Sequence, residues 1–123
     1  MARVKYTFEF TTRARPELIY TYISTASGLA TWFADDVNVN GKTFTFIWDN
    51  TGEKAEMMSK KINKMTKFKW LERDAEEFVS FEIVRDDLTD DVSLIVTDFE
   101  EEDDIDDAKA VWEVSIDQLK MTI

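Results

Sequence analysis

The chain has 123 residues and a formal net charge of −11, and it contains neither cysteine nor histidine. The missing cysteine excludes a disulfide framework, a thiolate zinc site and a cysteine nucleophile, and the missing histidine removes the usual general base and the commonest metal ligand. A chain of this length buries roughly two thirds of the surface that its unfolded form exposes, so we expect residues 1–123 to form one domain without the usual hydrolase or metalloenzyme chemistry.

The charged residues are unevenly distributed along the sequence. Residues 53–73 hold seven basic and three acidic side chains, a net charge of +4. Residues 74–107 hold sixteen acidic side chains and one arginine, a net charge of −15. Phosphate backbones and anionic lipid surfaces both require cationic partners. We therefore expect no nucleic acid partner, and we interpret the basic segment as a solvated strand face.

The sequence contains no recognisable membrane or export segment. No apolar run approaches the roughly 18 residues that would span a bilayer. The N-terminal stretch "MARVKYTFEFTTRARPE" also lacks the apolar core of a signal peptide. We expect cytoplasmic localisation and no stable membrane insertion.

The first elements are a strand and two short helices. "VKYTFEFTT" alternates apolar and polar residues, which predicts a half-buried strand. Pro16 suits the first turn of a helix, and Ile19 and Ile23 lie four residues apart, on one face of it. This helix should end near Ser24, and a second should run from about Ser27 to Phe33.

A meander of antiparallel strands follows. "NGK" at 40–42 is typical of a hairpin turn. The apolar and polar residues alternate again in "KTFTFIW", "TKFKWL", "EFVSFEIV" and "DVSLIVTDF", and a long strand is expected from about Glu53 to Ile62. The residues expected to face inward are Phe44, Phe46, Trp48, Phe68, Trp70, Val79, Phe81, Ile83, Val92, Leu94 and Val96.

The last segment changes to a helical period. From Asp103 onward, Ala108, Trp112, Ser115 or Ile116, Leu119 and Ile123 recur at helical spacing, which predicts a long helix with one apolar face. A curved sheet of this size must cover its apolar face, and this is the only element long enough to do so. The order predicts an α+β fold in which six to seven antiparallel strands wrap around the C-terminal helix.

The block "EEEDDIDD" before this helix has two interpretations. Seven of its eight residues are acidic, which would suit a cation, but it lacks the glycine and the ligand spacing of a calcium loop. Carboxylates are also favoured at a helix N-terminus, where each contributes roughly 0.3–1 kcal/mol. We favour the second interpretation and expect neither a metal nor a cofactor.

These segments resemble a known superfamily. "RPELIYTYISTASGLATWFADDV", "GKTFTFIW", "FKWL" and the terminal helix are similar to the START-like, or helix-grip (SRPBCC, birch-pollen-allergen-like), superfamily, and within it to the heat-shock-protein ATPase activator homologues. The similarity runs from about Tyr6 to Leu119, and its most specific part joins Pro16 and Glu17 to Gly28 and the Trp32–Phe33 pair. It implies a hydrophobic pocket between sheet and helix, used by relatives for lipids, sterols, polyketides or hormones, and in some for cyclisation or chaperone binding.

Three positions depart from the pattern of these relatives. Arg15 replaces a small capping residue before Pro16, Val111 replaces a glycine before Trp112, and Asp98 stands where many relatives have a histidine. A slip of one residue in the last strand would turn Phe99 inward in place of Asp98.

The candidate site is a set of large apolar residues on the inner face of the sheet and on the helices. The residues expected to line a pocket are Trp32, Phe33, Phe46, Trp48, Phe68, Trp70, Phe81, Leu94, Trp112 and Ile116. Core packing is an open alternative for each of them. Trp48, Trp70 and Trp112 are favoured as lining residues, because a buried indole N–H needs a partner that water or a ligand can supply.

The sequence leaves more than one function open. We favour binding of a small hydrophobic molecule, lipid-like or aromatic, without catalysis. The alternative is a protein-interaction module, either chaperone ATPase activator-like or homodimerising through an apolar patch. A cyclase-like enzyme is third, since its acid–base chemistry would fall to residues such as Asp98, Tyr20 or Tyr22, and nothing pairs them in sequence.

Overall fold

The computed structural model describes residues 3–73 and 77–123. Residues 1–2 and 74–76 lie outside these ranges, so two carboxylates of the acidic segment, Asp74 and Glu76, are not placed. The elements in chain order are β1 (Arg3–Thr12), α1 (Pro16–Ser24), α2 (Ala26–Trp32), β2 (Asp36–Asn40), β3 (Thr43–Trp48), β4 (Thr51–Lys61), β5 (Met65–Trp70), β6 (Phe78–Arg85), β7 (Val92–Glu101), a 3-10 turn (Glu102–Asp104) and α3 (Ile105–Thr122).

The seven strands form one antiparallel sheet in the order β1-β7-β6-β5-β4-β3-β2. Strands β2 to β7 are a meander, and β1 pairs with β7, which places the first strand beside the last. The turn between β2 and β3 contains Gly41 at φ +62°, a conformation that glycine adopts without a steric penalty. The alternation predicted for the strands is confirmed, because Phe44, Phe46, Phe68 and Phe81 are all buried.

Helices α1 and α2 begin and end within about one residue of their predicted bounds. Arg15 occupies the N-cap position of α1, and its side chain makes no capping hydrogen bond. The weaker cap expected at this position is confirmed. The hydroxyl of Thr25 accepts a bond from the Gly28 N–H at 3.0 Å and so caps α2. Gly28 allows the two helices to approach closely, since a Cβ there would lie 2.7 Å from the Cα of Tyr22.

Helix α3 buries Trp112, Ile116 and Leu119 against the rest of the fold, as their spacing predicts. The acidic block ends β7, forms the 3-10 turn and places Asp106 and Asp107 in the first turn of α3. Their charges complement the helix dipole there. The predicted α+β helix-grip architecture is therefore confirmed. None of the helices among the described residues has the length and apolarity needed to cross a membrane.

Aromatic rings fill most of the space between the sheet and the helices. Phe46 meets Phe68 and Trp70 edge-on, with ring centroids 5.7 and 5.8 Å apart. Phe81 packs edge-on against Trp32 at 5.5 Å. Phe46, Phe68 and Phe81 have no solvent-exposed surface. Within the described part of the chain, these large side chains interdigitate and leave the interior closely packed.

Candidate functional site

A cleft of about 230 Å³ opens where the inner face of the sheet meets helix α3. The sheet contributes the first residues of β1, the end of β3 and the end of β7, while the C-terminus of α2 and one face of α3 close the other sides. The residues that line the cleft are Tyr6, Phe33, Trp48, Asp98, Glu100, Ala108, Val111, Trp112 and Ser115.

Three of the ten predicted site residues, Phe33, Trp48 and Trp112, meet at this cleft. The ring of Phe33 stacks on Trp112, with centroids 5.2 Å apart and planes at 21°. It meets Trp48 edge-on at 5.3 Å and 83°. These contacts fix the three rings relative to one another and make an apolar wall.

The indole N–H groups of this wall are satisfied by the protein. Nε1 of Trp48 donates to the carbonyl oxygen of Phe33 at 2.8 Å. Nε1 of Trp112 donates to the hydroxyl of Tyr6 at 3.1 Å. Water or a ligand is therefore not needed as their partner, and a molecule in the cleft would contact the carbon framework of both indoles.

The other predicted residues lie away from the cleft. Ile116 lines a separate surface groove of about 360 Å³, together with Phe8 and Phe10. The remaining six are closely packed and line none of the five main clefts found among the described residues; they are Trp32, Phe46, Phe68, Trp70, Phe81 and Leu94. Their role in ligand binding stays a prediction that requires the interior to open.

Trp32 and Phe33, although adjacent in sequence, have different positions. Trp32 is 4% exposed, and its Nε1 donates to the carbonyl oxygen of Tyr22 at 2.8 Å, which ties α2 to α1. Phe33 directly follows α2 and turns toward the cleft. The pair therefore joins the core to the wall of the cleft.

Several lining residues could not be selected from sequence. Tyr6 belongs to the apolar side of β1, but nothing in the alternation distinguishes it from Phe8 or Phe10. Ala108, Val111 and Ser115 surround Trp112 on α3, and the helical period around Trp112 is the signal that could have identified them. Val111 is 68% exposed at the edge of the cleft.

The fold turns Asp98 toward the cleft. Strand β7 pairs it with Tyr6 of β1, and Phe99 points to the opposite face, where its ring meets Phe78 at 5.2 Å. The one-residue slip considered from sequence is therefore wrong. Burial raises the pKa of Asp98 to about 6, and the backbone N–H of Phe99 and the Arg73 guanidinium only partly oppose that rise.

Tyr6 stays protonated beside this carboxylate. Burial, with the charge of Asp98, raises the pKa of Tyr6 to about 12. Because its oxygen accepts the Trp112 N–H, the phenol proton remains available for a second bond. At neutral pH the Asp98 carboxylate is thus predominantly ionised, and the Tyr6 hydroxyl beside it is neutral.

An ion-pair network lies around the Asp98 side of the cleft. Arg73 makes a two-pronged contact with Glu53, at 2.7 and 3.0 Å, and lies 3.6 Å from Glu77. Arg3 makes a similar contact with Glu77, at 2.7 and 3.0 Å. Because each arginine holds more than one carboxylate, the network fixes the ends of several strands.

The other grooves are less suited to an apolar ligand. The largest, about 910 Å³, is lined largely by charged side chains such as Arg13, Arg15 and Arg85. The groove beside Ile116 is bordered by Lys109 and Lys120. Within residues 3–73 and 77–123, no group of three or more acidic side chains is arranged to hold a metal ion.

Comparisons with known proteins agree with this architecture. A family model described as a START-like superfamily domain matches residues 1–123. No curated protein is similar enough in sequence to count as a match.

Several solved structures share the fold. The solution structure of BfR322 from Bacteroides fragilis is 31% identical, with 99% of this chain and 92% of that chain covered and a TM-score of 0.68. The Aha1 dimer from Colwellia psychrerythraea is 21% identical, with 95% and 93% covered and a TM-score of 0.77. CalU16 from Micromonospora echinospora is 12% identical, with 96% and 73% covered and a TM-score of 0.74. The match of the family model over residues 1–123, with the 31% identical relative, shows that this chain belongs to the START-like superfamily.

Proposed function

We propose that the chain binds a small apolar molecule with an aromatic-sized body in the cleft between β1, β3, β7 and α3, and that it does so without catalysis. The observation that carries this proposal is the convergence of Phe33, Trp48 and Trp112 on one open cleft. Ligand sites are generally concave, mostly apolar, and provided with a few polar groups that orient the ligand. Asp98 and the Tyr6 hydroxyl are such groups here.

The size of the cleft limits the ligand. Its volume of about 230 Å³ is below the roughly 300–1,000 Å³ of sites that hold drug-sized molecules. Among the residues that the structure describes, the core behind it is closely packed, with Phe46, Phe68 and Phe81 fully buried. A single-ring or two-ring compound fits this space better than a sterol or a long lipid.

The chemistry of the cleft favours binding over catalysis. Acid–base catalysis needs a donor or acceptor whose pKa lies near the working pH and which reaches the reacting atom. Tyr6, with a pKa of about 12, releases its proton too reluctantly to fill that role at neutral pH. Asp98, with a pKa of about 6, meets this criterion as a base, but Tyr6, the polar residue paired with it across β1 and β7, is too weak an acid to complement it.

The test is an NMR titration with benzyl alcohol, a neutral single-ring probe, in which the indole N–H signals of Trp48 and Trp112 are followed. A blocking variant, Ser115→Phe, puts a ring into the cleft from α3. The matched control is Gln118→Phe, which adds the same ring at an exposed position three residues further along the helix, outside the cleft.

We expect the probe to shift both indole signals in the native chain and in Gln118→Phe, and to shift neither in folded Ser115→Phe. Absence of any shift in the native chain would refute the proposal. Equal shifts in the blocking variant and in the control would also refute it, because binding would then occur elsewhere.

A second candidate is self-association through α3. Val111, Val114 and Met121 are 68%, 71% and 83% exposed, and their helical spacing places them along one side of α3. The relative from Colwellia psychrerythraea was solved as a dimer. Sedimentation velocity over a range of concentrations tests this candidate: a dimer that dissociates in Val114→Lys would support it, and a monomer at every concentration would exclude it.

A further inference from the structure

Asp98 places a buried acceptor atom beside the aromatic wall of the cleft. Its side chain is 13% exposed, and its Oδ1 atom receives no hydrogen bond from any described residue. An ionised carboxylate has about four acceptor positions, and leaving such an atom unpaired in a buried place is costly. A group that supplies a donor at this point would recover that cost.

The neighbouring donors of the protein do not satisfy this atom. Nε1 of Trp70 lies close enough to the carboxylate to act as a donor that lowers its pKa, but its geometry completes no hydrogen bond with Oδ1. If Trp70 and Asp98 rearranged to form a hydrogen bond, that bond would use only one of the roughly four acceptor positions of the carboxylate. The Asp98 carboxylate therefore keeps capacity for a further donor.

The cation nearest to Asp98 is shared with other carboxylates. Arg73 Nη1 lies 3.9 Å from Asp98 Oδ1, beyond hydrogen-bonding distance. The same guanidinium contacts Glu53 at 2.7 Å and Glu77 at 3.6 Å. One positive charge is thus divided among three negative ones, and the surroundings of Asp98 remain electronegative.

The rest of the cleft adds to this negative character. Glu100 lines it from β7, although Arg3 Nη1 lies 3.5 Å from its Oε1 and offsets part of its charge. The faces of Phe33, Trp48 and Trp112 carry the negative part of their quadrupoles. Helix α3 contributes Ala108, Val111, Trp112 and Ser115, which are all uncharged. Aromatic rings around an acidic residue are the combination that attracts organic cations.

We propose that the ligand of this cleft is an amine, a compact apolar or aromatic body carrying an ammonium group, and that Asp98 is its counter-ion. The inference rests on the proposed function, since it names the ligand class of the same site. The ammonium group donates to Oδ1 of Asp98, while the body of the ligand packs on Trp48 and Trp112. Carboxylate ligands, such as free fatty acids, are repelled.

The preference for an amine depends on pH through the ionisation of Asp98. Asp98 is surrounded by Tyr6 from β1, Glu100 from β7, and Arg73, which is paired with Glu53 from β4 and with Glu77. Burial raises the pKa of Asp98 to about 6, so the counter-ion is present at neutral pH and lost below it. An amine that stays protonated throughout should therefore bind more weakly at about pH 5 than at about pH 7.5.

The test compares three probes of nearly equal size by NMR titration: benzylamine, benzyl alcohol and benzoate. We expect benzylamine to bind at least about tenfold more tightly than benzyl alcohol at about pH 7.5, and benzoate not to bind. In Asp98→Asn the advantage of the amine should fall to about twofold or less. Glu82→Gln, which removes one negative charge at an exposed position on β6, is the matched control and should keep the advantage.

The outcomes separate this inference from the proposed function. Equal binding of amine and alcohol, or an advantage that survives in Asp98→Asn, overturns the inference and leaves the apolar site intact. If none of the three probes binds in the cleft, both the inference and the proposed function are overturned. If Asp98→Asn does not fold, the native chain decides: an amine advantage that does not decrease between about pH 7.5 and pH 5 overturns the inference.

Discussion

Nε1 of Trp112 donates a buried hydrogen bond of 3.1 Å to the hydroxyl of Tyr6, although the two residues are 106 positions apart in the chain. The bond connects helix α3 to the first strand, which is itself paired with the last strand. It also holds two residues of the cleft at a fixed separation. The same hydrogen bond therefore holds the C-terminal helix against the sheet and fixes the shape of the cleft.

A double-mutant cycle of Trp112→Phe and Tyr6→Phe should measure this bond. We expect a coupling of about 0.5–1.5 kcal/mol in the free energy of urea unfolding, the usual range for one hydrogen bond. The control cycle pairs Tyr6→Phe with Trp32→Phe, which removes an indole N–H bonded to Tyr22 and not to Tyr6. Additive effects in the first cycle would mean that the bond does not stabilise the fold.

Asp98→Asn should stabilise the fold in a pH-dependent way. Burial raises the pKa of Asp98 from 3.8 to about 6, so between these values the folded chain binds more protons than the unfolded one. The stability contributed by this group therefore decreases as the pH rises through the window. Asp98→Asn has no carboxylate to bury and avoids this loss. Its free energy of unfolding should exceed that of the native chain by about 1–3 kcal/mol above about pH 7 and by almost nothing near pH 4.

Urea unfolding of Asp98→Asn and of the native chain from about pH 4 to 8 checks this expectation. Glu82→Gln is the control for removal of a surface charge, and its stability difference should stay small throughout. A difference for Asp98→Asn that does not change with pH would show that the carboxyl titrates as if it were exposed.

Gly28→Ala should destabilise the fold by about 2–3 kcal/mol, because the new Cβ would overlap backbone atoms of Thr21 and Tyr22 that cannot move independently. In the matched control, Gly52→Ala on β4, the nearest atom to the new Cβ is a side-chain carbon of Thr45 at 3.2 Å. That variant should change stability by less than about 1 kcal/mol. Thermal and urea unfolding measure both, and equal effects would contradict the proposed close contact between α1 and α2.

The sheet and the long helix could be predicted from sequence because their signals are local. The alternation of Phe44 with Phe46 and of Phe68 with Trp70 assigns each strand a buried face. The spacing of Trp112, Ile116 and Leu119 does the same for α3. Pairing of consecutive strands then requires only short turns, and the hairpin at Gly41 has the residue that its φ demands.

The shape of the cleft could not be predicted, since it depends on how side chains from distant elements fill a shared volume. The periodicity that directs Phe46, Phe81 and Trp112 inward does not show that the first two pack into a closed core while the third reaches an open cleft. The orientation of Asp98 depended in the same way on the register of β7, which a shift of one residue reverses.

The most direct test of the account is an intermolecular NOE spectrum of the chain with saturating benzyl alcohol. We expect NOEs from the probe to the ring protons of Phe33, Trp48 and Trp112. NOEs confined to Phe8 and Phe10, in the groove beside Ile116, or no NOEs at all, would contradict it and show that the cleft between sheet and helix is not the binding site.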